Sequence, residues 1–326
     1  MNDDIKTPDL TLRGLRVFVA LEETGSVIGA AARIGGSASG VSQHITALEQ
    51  AVGAKLFDRK VKPVTLTPAG QLLRRHAHRI LSVVSEARAE LAEISLASLP
   101  QLNLAIIDDL DASLTPVLVS AVQARLPRCF VHAVSGRSDH VIERIETRSA
   151  DVAVSALLPD GVGYQVLPIL TEPFVLVAAK GAITGDVRTA LNQLTFVQYS
   201  ETLPIGQRIA RHLRRVRMNP ERRFALEATR SVLAMVVQTR GWTITTPLNL
   251  MDAERFLPQL DVLPLPFAGE TRHVNLIARE GELGHLPEVL VKDCRSIVSS
   301  RLVPRFDALA PGLAGSIKVA SDSDEP

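Results

Sequence analysis

Only two cysteines, Cys129 and Cys294, occur in the 326 residues. Two thiols cannot build a disulfide framework, and each lies in an apolar or helical pattern, so both read as packed thiols rather than redox or metal groups. No apolar run approaches the length of a membrane span. The acidic opening MNDDIKTPDL lacks the positive and apolar regions of a secretion signal, so a cytoplasmic protein is expected. Equally missing are a phosphate loop, a GxSxG elbow, an HExxH pair and a cysteine pair at metal spacing, and the eight histidines are scattered. These absences argue against an enzyme; no catalytic residue, metal or cofactor is expected. A formal charge of +1 gives no global nucleic-acid signature, so any such function must rest on local patches. What is present is ample apolar residue, 46%, which excludes a wholly disordered chain, and enough length for two or three domains.

Residues 10–67 read as short helices followed by a small β element. Leu12, Leu15, Phe18 and Val19 recur at helical spacing, and Gly25-Ser26 stops that helix while Ser26 can cap the next. The second helix carries Ala30, Ala31 and Ala32, without bulk, which lets another helix approach closely. After Gly35-Gly36 a third helix, about Ala38 to Val52, puts Val41, Ile45, Leu48 and Val52 on one face. Ser39, Ser42, Gln43, Thr46 and Gln50 fall opposite, with His44 at the margin. Two helices joined by a glycine-containing turn, the second with a short-polar outer face, match a helix-turn-helix whose recognition helix enters a major groove. An ordinary solvated helix face explains the pattern equally well until the next segment is added.

That segment holds Lys55, Arg59, Lys60 and Lys62 against a single Asp58, where phosphate contacts would lie. VKPVTLT then alternates Val64 and Leu66 inward with Thr65 and Thr67 outward, as the wing of a winged helix does. Thr67-Pro68 has the capping residue and first-turn proline of a new helix. Leu73, Ala77, Ile80, Val84, Ala87, Leu91 and Ile94 follow in steps of four and three, a coiled-coil seam that favours a dimer over a helix packed only on its own domain. His76 and His78 lie two positions apart and cannot form a metal pair on one helix face.

From about Leu99 the pattern changes to strands alternating with helices, with helical stretches at 114–126, 138–148, 204–217 and 230–239. Mostly parallel sheets covered by helices on both faces are expected. The β run over 164–179 points to two subdomains joined by crossing strands, with a cleft between them. The expected organisation is a DNA-binding domain at 10–67, a linker helix at 68–98, an α/β domain at 99–309 and a mobile tail at 310–326.

The chain at this point resembles the LysR-type transcriptional regulators. The residues that carry the likeness are Leu15, Phe18 and Val19, then GSVIGAAARI at 25–34, SASGVSQHITALEQAVGAKLFDR at 37–59 and LTPAG at 66–70. SADVAVS at 149–155, LTEPFVLVAA and RGWTITTP extend it more weakly. The resemblance implies an N-terminal α-helical winged helix-turn-helix plus linker helix and a C-terminal α/β two-subdomain, periplasmic-binding-protein-like effector domain. It further implies double-stranded DNA and a small-molecule effector as partners, and a homodimer or homotetramer. Carried over residue by residue, Ser42, Gln43 and Thr46 become base-facing candidates and Ser26, Lys55, Arg59, Lys60 and Lys62 phosphate-facing ones, with Ser39 and His44 beside them. Ser37-Ala38-Ser39-Gly40 departs from the family's Ser-Gln-Pro-Ala, and the lost glutamine removes a group that could read a base.

In such a domain the loop after the first strand contributes ligand contacts. Here it is Asp108-Asp109-Leu110-Asp111, with Ser113 entering the helix. Three carboxylates repel an anion, which suggests a cationic or polyhydroxylated effector; the alternative is that they cap the helix and complement its dipole. Ser155, Ser200, Thr202, Thr245 and Thr246 stand at or beyond strand ends, where doubly wound domains bind ligands. Trp242 either stacks on a ligand or packs in the core. The seven arginines from Arg208 to Arg223 fit a solvated helix face better than a second nucleic-acid patch. Three rival readings remain: an enzyme, a solute-binding protein, and an architectural DNA binder indifferent to sequence.

Overall fold

Thr11 starts the first helix by accepting the Gly14 N–H on its hydroxyl at 3.0 Å. The computed structural model describes residues 9–58, 63–96 and 99–321. It comprises an N-terminal unit up to Ser95 and a second unit that holds the bulk of the chain from Leu96 onward.

In the first unit α1 (Leu12–Thr24), α2 (Val27–Arg33) and α3 (Ala38–Val52) pack through Leu15, Phe18, Ala30, Ala31, Val41 and Ile45. Gly35, at φ 61°, makes the turn between α2 and α3 in a conformation that side chains disfavour. Strands β1 (Phe57–Asp58) and β2 (Thr65–Leu66) pair antiparallel as the base of the wing, Phe57 opposite Leu66. α4 (Pro68–Leu96) then runs for 29 residues, about 44 Å at the rise of an α-helix. Its start packs closely on the chain before the wing: a Cβ on Gly70 would stand 2.1 Å from the Leu56 carbonyl oxygen. Leu73 and Ala77 are buried in this unit's core and Leu81 packs against it. The unit therefore uses the head of the expected seam for itself.

The second unit contains, in chain order, β3 (Gln101–Ile107), α5 (Asp108–Arg125), β4 (Phe130–Gly136), α6 (Ser138–Glu146), β5 (Val152–Ser155), β6 (Tyr164–Pro173) and β7 (Val175–Ala179). There follow α7 (Val187–Gln193), β8 (Val197–Tyr199), α8 (Pro204–Arg215), β9 (Phe224–Leu226), α9 (Thr229–Thr239) and β10 (Trp242–Thr245). The chain closes with α10 (Pro247–Asp252), β11 (Leu260–Leu263), β12 (Thr271–Arg279), α11 (Leu286–Ile297), α12 (Val303–Leu309) and β13 (Lys318–Val319).

Two sheets result. One has the order β13-β6-β12-β5-β3-β4; the other is β10-β7-β11, with the parallel pair β8-β9 joined to it by a bridge between Phe196 and Trp242. Strands β5, β7 and β10 are buried along their whole length, as strands covered on both faces are. The chain leaves the first sheet along β6 into β7 and returns from β11 to β12. These are the crossing strands expected from the run at 164–179.

Two expectations need correction. The sheets are mixed rather than mostly parallel: β3 is parallel to β4 and β5, but β12 is antiparallel to β5, and β10 and β11 to β7. A strand that carries the chain back between subdomains must enter its sheet from the opposite end. Nor is 310–321 a tail. β13 pairs with β6, Lys318 opposite Thr171, and Ile317 is buried, so this segment adds an edge strand; residues 322–326 lie outside the described residues.

Candidate DNA-binding face and effector cavity

Ser26 caps α2 by accepting the Gly29 N–H at 3.0 Å, and Ser37 caps α3 by accepting that of Gly40 at 3.1 Å. Ser39, Gln43, Thr46 and Gln50 are exposed on α3, and Ser42 and His44 half-buried, while Val41, Ile45 and Leu48 face the core. The Ser42 and Thr46 hydroxyls donate back to the carbonyls of Ala38 and Ser42, which leaves their lone pairs outward. Ser39 shares a hydrogen bond with Ser37. The sole carboxylate of α3, Glu49, is buried; one oxygen accepts the Leu56 N–H at 3.0 Å and the other the Lys55 ammonium at 2.7 Å. The outer face is thus free of negative charge, and the exposed Lys55 is partly spent on a structural pair. Arg59, Lys60 and Lys62 lie outside the described residues.

Along α4, Ile80, Val83 and Leu91 are exposed apolar residues at 40%, 61% and 69%; Ala87 is also exposed and Val84 half-buried. The side chain of Ile94 lies outside the described residues.

The second unit encloses a cavity of about 580 Å³. It is lined by Asp108, Asp109 and Asp111 of α5, by the starts of α6, α8 and α9, and by Tyr199, Asn249, Asp252 and Arg272. None of the four helices that begin there has a side-chain hydrogen bond from its N-cap residue, although in the first turn of α6 the Asp139 carboxylate accepts its own and the His140 backbone N–H. Ile107, Ala112, Leu157, Phe174, Leu203 and Ile205 supply apolar wall.

Arg272, nearly buried on β12, is held between two carboxyl groups. Its Nε donates to Glu172 at 2.5 Å and an Nη2 donates to Asp109. Burial disfavours the guanidinium charge, but the two acids outweigh it and raise the Arg272 pKa. Glu172 is fully buried, and its other oxygen accepts the Leu248 N–H at 2.9 Å. Burial drives the Glu172 pKa up against the pull of Arg272. Asp109 has a side chain 8% exposed; its Oδ2 is on Arg272 and its Oδ1 is buried without a partner. Desolvation and the neighbouring Asp109, Asp111 and Asp252 raise the pKa of Asp108. Asp111 accepts the Thr115 hydroxyl at 2.6 Å.

The remaining cavity cations are engaged. Arg137 pairs with Asp139 at 2.7 Å and donates to the Thr202 carbonyl at 2.9 Å, tying the first subdomain to the second. Arg208 pairs with Glu270 and Arg230 with Asp252.

Of the effector candidates read from the sequence, Asp108, Asp109 and Asp111 line this cavity and the rest do not; the three lie not in a loop, as expected, but in the first turn of α5, which starts directly at the end of β3. Ser113 donates to the Leu110 carbonyl within its helix. Ser155 is buried and accepts the Leu157 N–H. Ser200 and Thr202 line an open groove beside Arg222. Thr245 and Thr246 stand behind the wall: Thr245 bonds the Tyr199 hydroxyl at 2.9 Å and Thr246 accepts from Asn249 at 3.2 Å. Trp242 is core, its ring 4.6 Å from that of Phe196 and its Nε1 donating to the Leu191 carbonyl. The arginines of α8 and beyond are surface groups of which Arg208, Arg215, Arg222 and Arg223 are ion-paired. Missed were Arg272 and Glu172, whose signal was a charge set in each crossing strand, and Arg137, Tyr199, Asn249 and Asp252.

Two family models match. The bacterial regulatory helix-turn-helix protein, lysR family, covers residues 12–71, and the LysR substrate binding domain covers 98–295, more than half of the chain. The protein belongs to the LysR family of regulators, which is a family of transcription regulators and not of enzymes. Relatives include a "Probable hydrogen peroxide-inducible genes activator" of Mycobacterium xenopi, 30% identical over 52% of this chain and 90% of that protein. A namesake from Mycobacterium avium is 29% identical over 60% of this chain and 64% of its own length. The HTH-type transcriptional regulator DgdR of Burkholderia cepacia is 33% identical over 47% and 51%. The chain thus spans less than two thirds of the length of these last two. Among solved structures, a cysteine-to-serine mutant of OxyR from Corynebacterium glutamicum, with hydrogen peroxide bound, matches with a TM-score of 0.53 at 23% identity, over 94% of this chain and 96% of that one. It shares the fold.

Proposed function

We propose that the protein is an operator-specific DNA-binding regulator whose binding is modulated by a small molecule in the α5–β12 cavity. The observation that carries this is the outer face of α3, where Ser39, Ser42, Gln43 and Thr46 stand together with no carboxylate among them. Gln43 has a free amide able to give and take a hydrogen bond at a base edge. Ser26, Lys55, Arg59, Lys60 and Lys62 are assigned to phosphates, and His44 to the margin. Ile80, Ala87 and Leu91, which are exposed, and the half-buried Val84 are assigned to a homodimer seam continuing to Ile94, with a homotetramer as its doubling, in a cytoplasmic protein. The acidic lining supports an effector that is cationic or polyhydroxylated.

The peroxide response named for some relatives is not carried over. A thiol sensor needs an accessible thiolate. Cys129 and Cys294 are both buried, burial raises the first thiol's pKa, and the second is pushed up to about 12. The test of the proposal is a footprint on the DNA upstream of the protein's own and neighbouring genes. A discrete protected site with dyad symmetry is expected; protection spread evenly over unrelated DNA would favour an architectural binder.

A further inference from the structure

We infer that Arg208 is the hinge restraint of the second unit: from α8 it holds together the two segments in which the chain crosses between the subdomains, and it does so from the wall of the cavity.

The outgoing segment passes from β6 to β7 at Phe174, and the returning one reaches β12 through Glu270 and Thr271. The Phe174 N–H donates to the Glu270 carbonyl at 2.8 Å, so the two segments lie side by side. Arg208 meets both. Its Nε donates to the Glu270 carboxylate at 2.8 Å, an Nη donates to the Thr271 carbonyl, and the guanidinium carbon stands 5.7 Å from the centre of the Phe174 ring. That separation is within reach of a cation–π contact. Arg208 and Phe174 both line the cavity.

The grip on the returning segment changes hands within three residues. Glu270 is held by the second subdomain: Arg208 and Arg215, two turns apart on one face of α8, take one carboxylate oxygen each, at 2.8 and 2.9 Å. The buried His212 between them steadies Arg215 by accepting its N–H at 2.9 Å. Two residues on, Arg272 is held by Asp109 of α5, in the first subdomain. Thr271 alone separates the two grips. A rotation of one subdomain against the other must therefore turn the backbone there, beside the carbonyl that Arg208 holds.

Of the two arginines, Arg208 has the stronger hold. Its side chain is 34% exposed against 58% for Arg215, so its pair with Glu270 is less screened by solvent. Burial works to raise the Glu270 pKa, yet the Arg208 hydrogen bond and charge, followed by the charge of Arg215, bring it below the ordinary carboxylate value. A molecule in the cavity that shifts this guanidinium changes how firmly the crossing segments are held, and with it the free energy of rotation.

The test is hydrogen exchange, read by mass spectrometry on the full chain without ligand, at the Phe174 amide and at the β3 amides Leu104 to Ile106. Arg208→Gln is expected to speed exchange at Phe174 about tenfold and leave β3 unchanged. Arg208→Lys is expected to recover part of the protection, since an ammonium lacks the fork that reaches two acceptors at once. Arg215→Gln is expected to give a smaller rise, and Arg211→Gln, at an exposed position on the same helix, none. Wild-type exchange at Phe174 in Arg208→Gln overturns the assignment, because the hinge is then held without it. A rise of the same size in β3 also overturns it, by reducing the effect to a general loss of stability, and so does an Arg211→Gln effect as large as that of Arg208→Gln.

Discussion

Asp109 and Glu172 show how one buried arginine can serve two purposes. Arg272 holds the Asp109 carboxylate of α5 in place and also pins Glu172, whose other oxygen takes the Leu248 N–H at the start of α10. The Glu172 pKa is raised, with burial as the main cause. A carboxyl whose folded-state pKa exceeds its unfolded one holds its proton longer when folded. Its contribution to stability is full below pH 4.5, the ordinary glutamate value, and is lost as the pH rises through the raised folded value. Urea unfolding across that interval is expected to show wild-type stability falling with pH and Glu172→Gln flattening the slope. An unchanged slope in the variant would remove Glu172 as its source. Neither residue was legible as a site residue beforehand. A glutamate in LTEPFVLVAA and an arginine opening the returning strand read as breaks in apolar runs, and only the crossing of the two strands brings them together.

At the scale of elements, the helices were the most legible part, because each carries its own evidence: Leu110, Leu114, Leu118 and Val122 repeat along α5 and are all buried. Strand direction was not legible, since alternation along a strand says nothing about which neighbour it joins. The mixed sheets and the added β13 follow from that. The α4 seam was legible as a period but not as a division of labour. Leu73 and Ala77 belong to the core of the first unit, and Ile80, Ala87 and Leu91 remain exposed. Leu91→Glu is accordingly expected to leave the fold intact and shift sedimentation toward the monomer; an undiminished dimer would move the interface elsewhere. The join of α4 to the wing is a tight contact. Gly70→Ala puts a methyl 2.1 Å from the Leu56 carbonyl oxygen, a backbone atom that cannot swing away. Overpacking of this kind costs about 1–3 kcal/mol, measurable as a lowered denaturation midpoint of the chain. A variant as stable as wild type would show that α4 can slide off the wing.

For the whole molecule, the sequence sufficed for the domain order, because the recognition-helix pattern, the basic segment and the α/β alternation are local signals in separate stretches. The cavity is a different kind of object. Three of its acids, Asp108, Asp109 and Asp111, are consecutive or nearly so, and the sequence already put them in one group. The hydroxyl candidates Thr245 and Thr246 were placed at the right strand end but one layer behind the surface, where they support Tyr199 and Asn249 instead of lining the cavity. Coupling between cavity and DNA, in the function proposed, requires that the effector bind one arrangement of the molecule better than another, and the cavity wall is drawn from both subdomains.

The central claim is that α3 reads bases, and a salt-series gel shift comparing wild type with Gln43→Ala on the footprinted site and on unrelated DNA tests it most directly. The expected result is a loss of about 1–3 kcal/mol on the specific site, confined to particular base pairs, with the affinity for unrelated DNA and its salt dependence unchanged. Equal weakening on both DNAs, or no effect on either, would contradict it and leave α3 as a solvated helix face.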